Sequence, residues 1–580
     1  MELIIVLAIS IGIAILNSFH VILQWTLNKP GETFTGIAHS FADYFLYTGQ
    51  MAQGAAGRWV WSNQLFTNEP TSSTWYYWFN VTLGHLGSWV GLSPFATYNI
   101  SLFLFVIVLC LAWYLLSKLL YPTNMLLRLT TWLLILTSTN FISFARPGLA
   151  KLSFLNFSQG ELLGQFWFSP APVFNRLGGV PYQVVQSILF ILLAMIVSQF
   201  LSIQSSDRIR NPSFTGVSAG RQKSGITKKI NLFYSLIHHS IFLILLAFFA
   251  GSANPVQMLL LVIAAGGTTV ISNRWNFLPL GILLLAGGFG AWMTNQEFAQ
   301  QDVFVAARAW ELAQYTSNSL PNILLSIGPV LLFIPFGIRN VFKEKNPLHI
   351  LFITWGVISF VLFLSPIPRF LELSPVRMLH PVPYAAAIAI LGVDGLVQLS
   401  VFLHHRLKNK YSINSIRAIL IVMYLLLTVP PLAKQFTDRI TPARNPQLLM
   451  DTVYNHVPTP IVEALTWIKN DDSIKLAAGI TGLNPVMERQ VVLVDPTIPI
   501  EILVPVFTEK ISFSGHPIHT LYPDVKEARR QEFFGGKMNK KDAAQFLKDH
   551  RIGYIITTPS RRLSISLQKV FSNTTVSIYK

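Results

Sequence analysis

The sequence predicts an all-α polytopic membrane bundle of about eleven transmembrane helices, followed by a soluble C-terminal α/β domain. Three observations predict it. Charged residues are only 12% of the 580, against roughly a quarter in soluble domains. The acids avoid the apolar runs: residues 1–432 hold 12 of the 26, and only Asp394 lies inside a long apolar segment. Apolar runs of about 20 residues, the length that crosses a bilayer, recur along most of the chain.

The runs are 3–24, 95–117, 129–145, 181–202, 232–249, 255–271, 277–293, 321–338, 348–365, 381–403 and 418–432. The first is too long for a signal-peptide core and is followed by bulky Gln24 and Trp25, so it reads as a retained helix. Lys and Arg set the orientation. With the N-terminus inside, the inner loops 118–128, 203–231, 272–276, 339–347 and 404–417 hold 16 Lys and Arg in 68 residues. The outer loops before residue 433 hold eight in more than twice that length. An odd number of helices then places the C-terminus outside. The predicted domains are 1–432, transmembrane, and 433–580, extracytoplasmic, in a multi-pass protein of the plasma (inner) membrane. Loop charge also accounts for the net +17. No basic stripe interleaves with aromatics, which argues against nucleic acid as a partner. A single cysteine, Cys110, excludes an intramolecular disulfide and a thiolate metal cluster.

Two outer loops, 25–94 and 146–180, have the length that usually signals function. In the first, residues 36–54 predict an amphipathic helix. Ile37, Phe41 and Phe45 share one face, and His39, Asp43 and Tyr47 the opposite one. Such a helix lies along the membrane with its polar stripe toward a cavity. Trp59, Trp61, Trp75, Tyr76, Tyr77 and Trp78 fit an interfacial aromatic belt.

The last 148 residues change character, with 19 basic and 14 acidic side chains. Helical stretches at 461–470, 523–534 and 540–550 alternate with apolar runs at 474–480, 490–494 and 552–557. This alternation predicts a small α/β domain with a partly parallel sheet.

Outer-facing acids are few: Glu32, Asp43, Glu69, Glu161, Glu297, Asp302, Glu311 and Glu372. Asp43 stands apart because His39 and Tyr47 share its face. A carboxylate at a water-filled cavity takes a proton from a hydroxyl nucleophile. The outer bases are Arg58, Arg146, Lys151, Arg176, Arg369 and Arg377, with His380. Guanidinium offers phosphate a planar, bidentate fork. Asp394 lies in the inner half of the tenth helix, where a capped or solvated position is expected.

Asp43, Tyr47, Gly57-Arg58-Trp59, Asn68-Glu69-Pro70 and Tyr76-Tyr77-Trp78 follow one another in the first outer loop. That order resembles membrane glycosyltransferases of the C-type fold, notably the aminoarabinose transferase and protein mannosyltransferase group. Members have an acid just after the first helix, then a Gly-x-Trp element and a Glu followed by aromatics. Their Glu is commonly followed by Lys-Pro-Pro, whereas Glu69 precedes Pro70-Thr71-Ser72-Ser73. The bundle with its C-terminal domain is also similar, although that likeness is weakly specific.

The resemblance implies inverting transfer of a sugar from a polyprenyl-phosphate donor to a hydroxyl of a glycan, lipid or protein acceptor at the outer surface. Asp43 would be the base, with Glu69 and His39 orienting it or the acceptor. Tyr47, Arg58, Arg146, Arg176, Arg369 and Arg377 would bind substrate, and membrane lipids would be the other partners. No metal residues are assigned: Asp471-Asp472 falls in a predicted turn, and a divalent cation is left open. Gly515-His516-Pro517 resembles the tail of relatives and carries no chemistry at this level. Two other classes compete. A flippase or transporter of lipid-linked sugars calls for internal repeats and midplane acids. A non-catalytic scaffold has no use for an acid on a loop helix.

Overall fold

The computed structural model describes residues 2–38, 40–139, 173–208, 240–273, 276–313, 324, 326–338, 346–444, 452–471 and 491–580. The chain opens with helices α1 (Glu2–Thr26), α2 (Phe41–Ala55), α3 (Trp78–Trp89) and α4 (Pro94–Leu120). Strand β1 (Glu32–Phe34) lies between α1 and α2.

Among the described residues seven helices are long and apolar enough to cross a membrane. They are α1, α4, Pro181–Ser202, Leu278–Gln300, Pro347–Leu364, Pro381–Arg406 and Ile413–Thr441, each at an expected place. Three shorter apolar helices, Met125–Thr137, Ser240–Ala253 and Pro255–Ile271, fall on three more. The expected span at 321–338 is described only in part and holds a 3-10 turn at Gly328–Leu332. Leu3, Ile4 and Leu16 stand exposed on α1, the face that hydrocarbon covers in a membrane protein.

Helices cross at small residues, as membrane bundles do. A Cβ on Gly251 would strike the Gly287 carbonyl, and one on Gly395 the Phe333 carbonyl. At the first of these crossings the helix loosens into a π-turn, Leu283–Gly287. Asp394 is buried and its Oδ1 accepts the Tyr121 hydroxyl at 2.9 Å. The last helix runs unbroken from Ile413 to Arg444, well past residue 432, where apolarity alone ended the bundle.

At one end of the bundle the chain forms two sheets. β1 pairs antiparallel with β2 (His456–Pro458), tying the first loop to the C-terminal region. The larger sheet contains β3 (Val491–Val494), β4 (Ile511–Ser512), β5 (Ile552–Thr557), β6 (Lys569–Ser572) and β7 (Ser577–Tyr579). Its order is β4-β3-β5-β7-β6. The first three strands run parallel, and β7 is antiparallel to both neighbours. Helices Thr459–Asn470, Pro523–Phe534 and Lys540–Asp549 flank it, close to the expected bounds. The expected run at 474–480 lies outside the described residues.

The α/β unit is not self-contained. Leu65 of the first loop is buried in its core with Val491, Phe513, Phe533 and Phe546. The Ser512 N–H donates to the Leu65 carbonyl at 2.8 Å. The loop thereby covers the β4 edge, whose backbone groups would otherwise lie open. Residues 433–580 were expected to form an extracytoplasmic α/β domain. They share their core with the first loop.

Candidate active site

The loop helix expected over 36–54 begins at Phe41. Remote partners explain the delay. The Ile37 N–H donates to Asn455 Oδ1 at 3.0 Å, and the Ala38 carbonyl lies 2.9 Å from His20 Nε2. With those groups engaged, and Gly36 at φ +71°, the helical ladder starts only after Ser40. His39 lies outside the described residues.

From Phe41 onward α2 is held on all sides. A Cβ on Gly54 would clash with the Val81 carbonyl, and one on Gly84 with the Met51 carbonyl, so α2 and α3 touch through backbone. Asn80 Nδ2 donates to Gln50 Oε1 at 3.1 Å. The Tyr44 hydroxyl donates to the Thr35 carbonyl at 2.6 Å. Pro505 and Val506 of the C-terminal domain rest on Gly49.

The opposite face carries Asp43 and Tyr47, both half-buried. Burial pushes the Asp43 carboxyl up to about 6. Burial and then the Asp43 carboxylate keep the Tyr47 phenol protonated far above its ordinary range. The same wall includes Tyr77, with rings 6.3 Å from Tyr47 and 4.8 Å from Tyr76. Glu297 fixes this aromatic segment: it accepts from the Thr74 hydroxyl (2.7 Å) and the N–H groups of Trp75 (2.5 Å) and Tyr76 (2.9 Å). The expected interfacial belt therefore divides. Trp59 and Trp61 are exposed, whereas Tyr77 is buried at the site.

Arg377, on the short turn Pro375–Met378, completes the wall. It grips Glu311 with both Nε (2.9 Å) and Nη2. Burial opposes the guanidinium charge, and the Glu311 carboxylate outweighs burial and holds it protonated. Beside them opens a cavity of about 110 Å³, lined among others by Tyr76, Phe298, Arg308, Glu311 and Arg377. The Arg377 charge reaches Tyr47. Of the residues expected at the site, Asp43 and Tyr47 share one face of α2, and Arg377 lines a cavity with Tyr76, the ring neighbour of Tyr77.

The others go elsewhere. Glu69, expected to orient Asp43 or the acceptor, pairs with Lys526 at 2.7 Å and accepts the Thr67 hydroxyl. Arg58 donates to Asn63 Oδ1 at 3.3 Å. Arg176 is buried on the Ser138 carbonyl, and burial lowers it to about 10, still charged at neutral pH. Arg369 is exposed. Arg146 lies outside the described residues. Sequence reasoning missed Glu311 as the Arg377 partner. It also passed over His516 and His519 of the C-terminal domain, whose i, i+3 spacing was the only local signal. Among the described residues no group of three His, Cys, Asp or Glu converges as a metal site would.

The apo crystal structure of the Archaeoglobus fulgidus oligosaccharyltransferase resembles this architecture with a TM-score of 0.50. The likeness covers 96% of this chain and 69% of that one at 10% identity. The chain has the C-type glycosyltransferase fold. ArnT from Cupriavidus metallidurans, bound to undecaprenyl phosphate, is similar with a TM-score of 0.42, 11% identity, and coverage of 99% and 97%. No protein-family profile and no curated protein matches. In this C-type bundle the first loop and the C-terminal domain meet at one end, and the Asp43 wall lies where they join.

Proposed function

We propose that this chain is a membrane glycosyltransferase that moves a sugar from a polyprenyl-phosphate donor to an acceptor hydroxyl on a glycan, lipid or protein. The observation that carries the reading is Asp43: a half-buried carboxylate held near pKa 6, on a rigid loop helix, sharing a wall with Tyr47, Tyr77 and Arg377. A base poised just below neutral pH suits proton removal from a hydroxyl. The acceptor oxygen attacks the anomeric carbon as the bond to the phosphate oxygen breaks in line, which inverts that centre. The hydroxyl proton passes to Asp43, and the electron pair leaves on the polyprenyl phosphate. Arg377 stabilises the charge developing there, the kind of electrostatic support that dominates such reactions. In this reading Glu69 serves by anchoring the loop to the C-terminal domain. The donor reaches the site from the bilayer, with the C-terminal domain extracytoplasmic. Chelator treatment tests for a divalent cation, which Asp43 oxygens would suit.

The test is transfer from a radiolabelled polyprenyl-phosphate sugar by the purified protein. Wild type is expected to label acceptor, and Asp43→Asn to lose on the order of 10² to 10⁴ in rate. Near-normal turnover by Asp43→Asn would remove Asp43 as base and most support for the reading.

A further inference from the structure

The cavity beside Arg377 holds a second guanidinium. Arg308, on the helix Asp302–Ala313, lines it together with Glu311, Glu372, Ser374 and Arg377. The two arginines are held very differently. Glu311 grips Arg377 through two nitrogens, and Gln257 Nε2 fixes the turn beneath by donating to the Arg377 and Met378 carbonyls at 2.9 and 3.0 Å. Arg308 makes only long contacts among the described residues. Its Nη2 lies 3.5 Å from the Phe298 carbonyl and its Nη1 3.8 Å from Glu372 Oε2, whereas a good charge-assisted bond is about 2.8 Å long.

Glu372 is a weak and unusual partner. Its side chain is 74% exposed, and exposed ion pairs hold loosely. Its backbone is left-handed, φ +53°, just past the short helix Ile367–Phe370. Glycine fills such a position without strain, so the carboxylate is what glutamate adds there. The same connection, between the spans Pro347–Leu364 and Pro381–Arg406, leaves Ile367, Phe370 and Leu371 exposed. Apolar side chains beside two spans suit an approach from lipid. Two residues on, the Ser374 hydroxyl is buried, lines the cavity and makes no hydrogen bond among the described residues. Buried hydroxyls are normally satisfied, and a phosphate oxygen in the cavity would satisfy this one.

We propose that Arg308 binds the phosphate of the polyprenyl donor and that Glu372 holds its place in the empty site: a phosphate oxygen takes over the guanidinium, and the Glu372 carboxylate turns out to solvent. Arg377 is the fixed arm of the site and Arg308 the exchangeable one. An entering anion displaces the carboxylate that is weakly held, which describes Glu372 and not Glu311. The inference rests on the donor being a polyprenyl phosphate, but binding reads it out without any transfer.

The experiment is equilibrium binding of a fluorescent polyprenyl phosphate to the full-length protein in detergent. Arg308→Gln is expected to weaken binding about tenfold, the loss of a charge-assisted contact. Glu372→Gln is expected to strengthen it a few-fold, because the internal competitor is gone. Combined with Arg308→Gln, that gain is expected to vanish, since no guanidinium remains to be freed. Melting temperatures should stay at the wild-type value throughout. A merely structural Arg308 would lower the melting temperature and leave affinity alone, which overturns the proposal. So does a Glu372→Gln gain that survives Arg308→Gln. Competitors identify the source of the phosphate: inorganic phosphate and phosphatidylglycerol are expected to displace the probe poorly. Displacement by either as effective as by unlabelled polyprenyl phosphate would overturn the assignment to the donor. Absence of transfer in a wild type that shows this binding pattern would sink the enzymatic reading alone.

Discussion

Glu69 of the first loop and Lys526 of the C-terminal domain form an ion pair at 2.7 Å, with the Lys526 side chain only 4% exposed. Lys526 also donates to Thr67, whose hydroxyl accepts the Leu521 N–H at 3.2 Å. Removing one partner of a buried pair strands the other charge, typically at about 3 kcal/mol. Glu69→Gln is therefore expected to lower the melting temperature clearly while donor affinity is retained. Thermal unfolding in detergent beside equilibrium binding of a polyprenyl phosphate checks both halves.

Asp43 links function and stability through pH. Its folded pKa of about 6 stands above the ordinary 3.8, so the folded state binds the proton more tightly. Its contribution to stability is then full below about pH 4 and lost as pH rises through 6. At pH 7 Asp43→Asn removes a burial penalty of up to roughly 3 kcal/mol, so this variant should melt no lower than wild type. Wild-type transfer should rise with pH around a midpoint near 6, and the residual rate of Asp43→Asn should lack that limb.

Arg377 and Arg369 separate contact from mere proximity to the membrane. Arg377 lines the cavity, whereas Arg369 is exposed. Arg377→Ala is expected to weaken polyprenyl-phosphate binding by about tenfold or more, with Arg377→Lys intermediate because it lacks the bidentate fork. Arg369→Ala should bind as wild type. Equal losses from both would take Arg377 out of the donor site.

Gly54→Ala tests the backbone contact that fixes α2. The new methyl meets the Val81 carbonyl, which has no flexible side chain to yield. Overpacking of this kind costs about 1–3 kcal/mol, and the shifted helix should also slow transfer. Gly12→Ala, with nothing within 4 Å of the new Cβ, is the neutral control. Melting curves of the two variants decide.

From loop charge we propose that the N-terminus is inside and the C-terminal domain outside. A reporter fused after Lys580 should read extracytoplasmic. A cytoplasmic reading would reverse the orientation and put the Asp43 wall on the other side of the membrane.

What the sequence determined by itself is what neighbouring residues encode. Helix-length apolar runs mark the spans, because hydrocarbon demands that length whatever the neighbours. Alternating segments mark Pro523–Phe534 and Ile552–Thr557 almost to the residue. Asp43 and Tyr47 share a face because four residues make about one helical turn. The tertiary structure decided everything that joins remote segments. Asn455 and His20 set where α2 begins by taking backbone groups a helix would use. Glu311 gathers Arg377, Lys526 pairs with Glu69, and His519 meets Tyr77 across 442 positions. Periodicity is written into adjacent residues, whereas the partner of a buried charge or hydroxyl is chosen only when desolvation brings distant groups together and forces each to be satisfied.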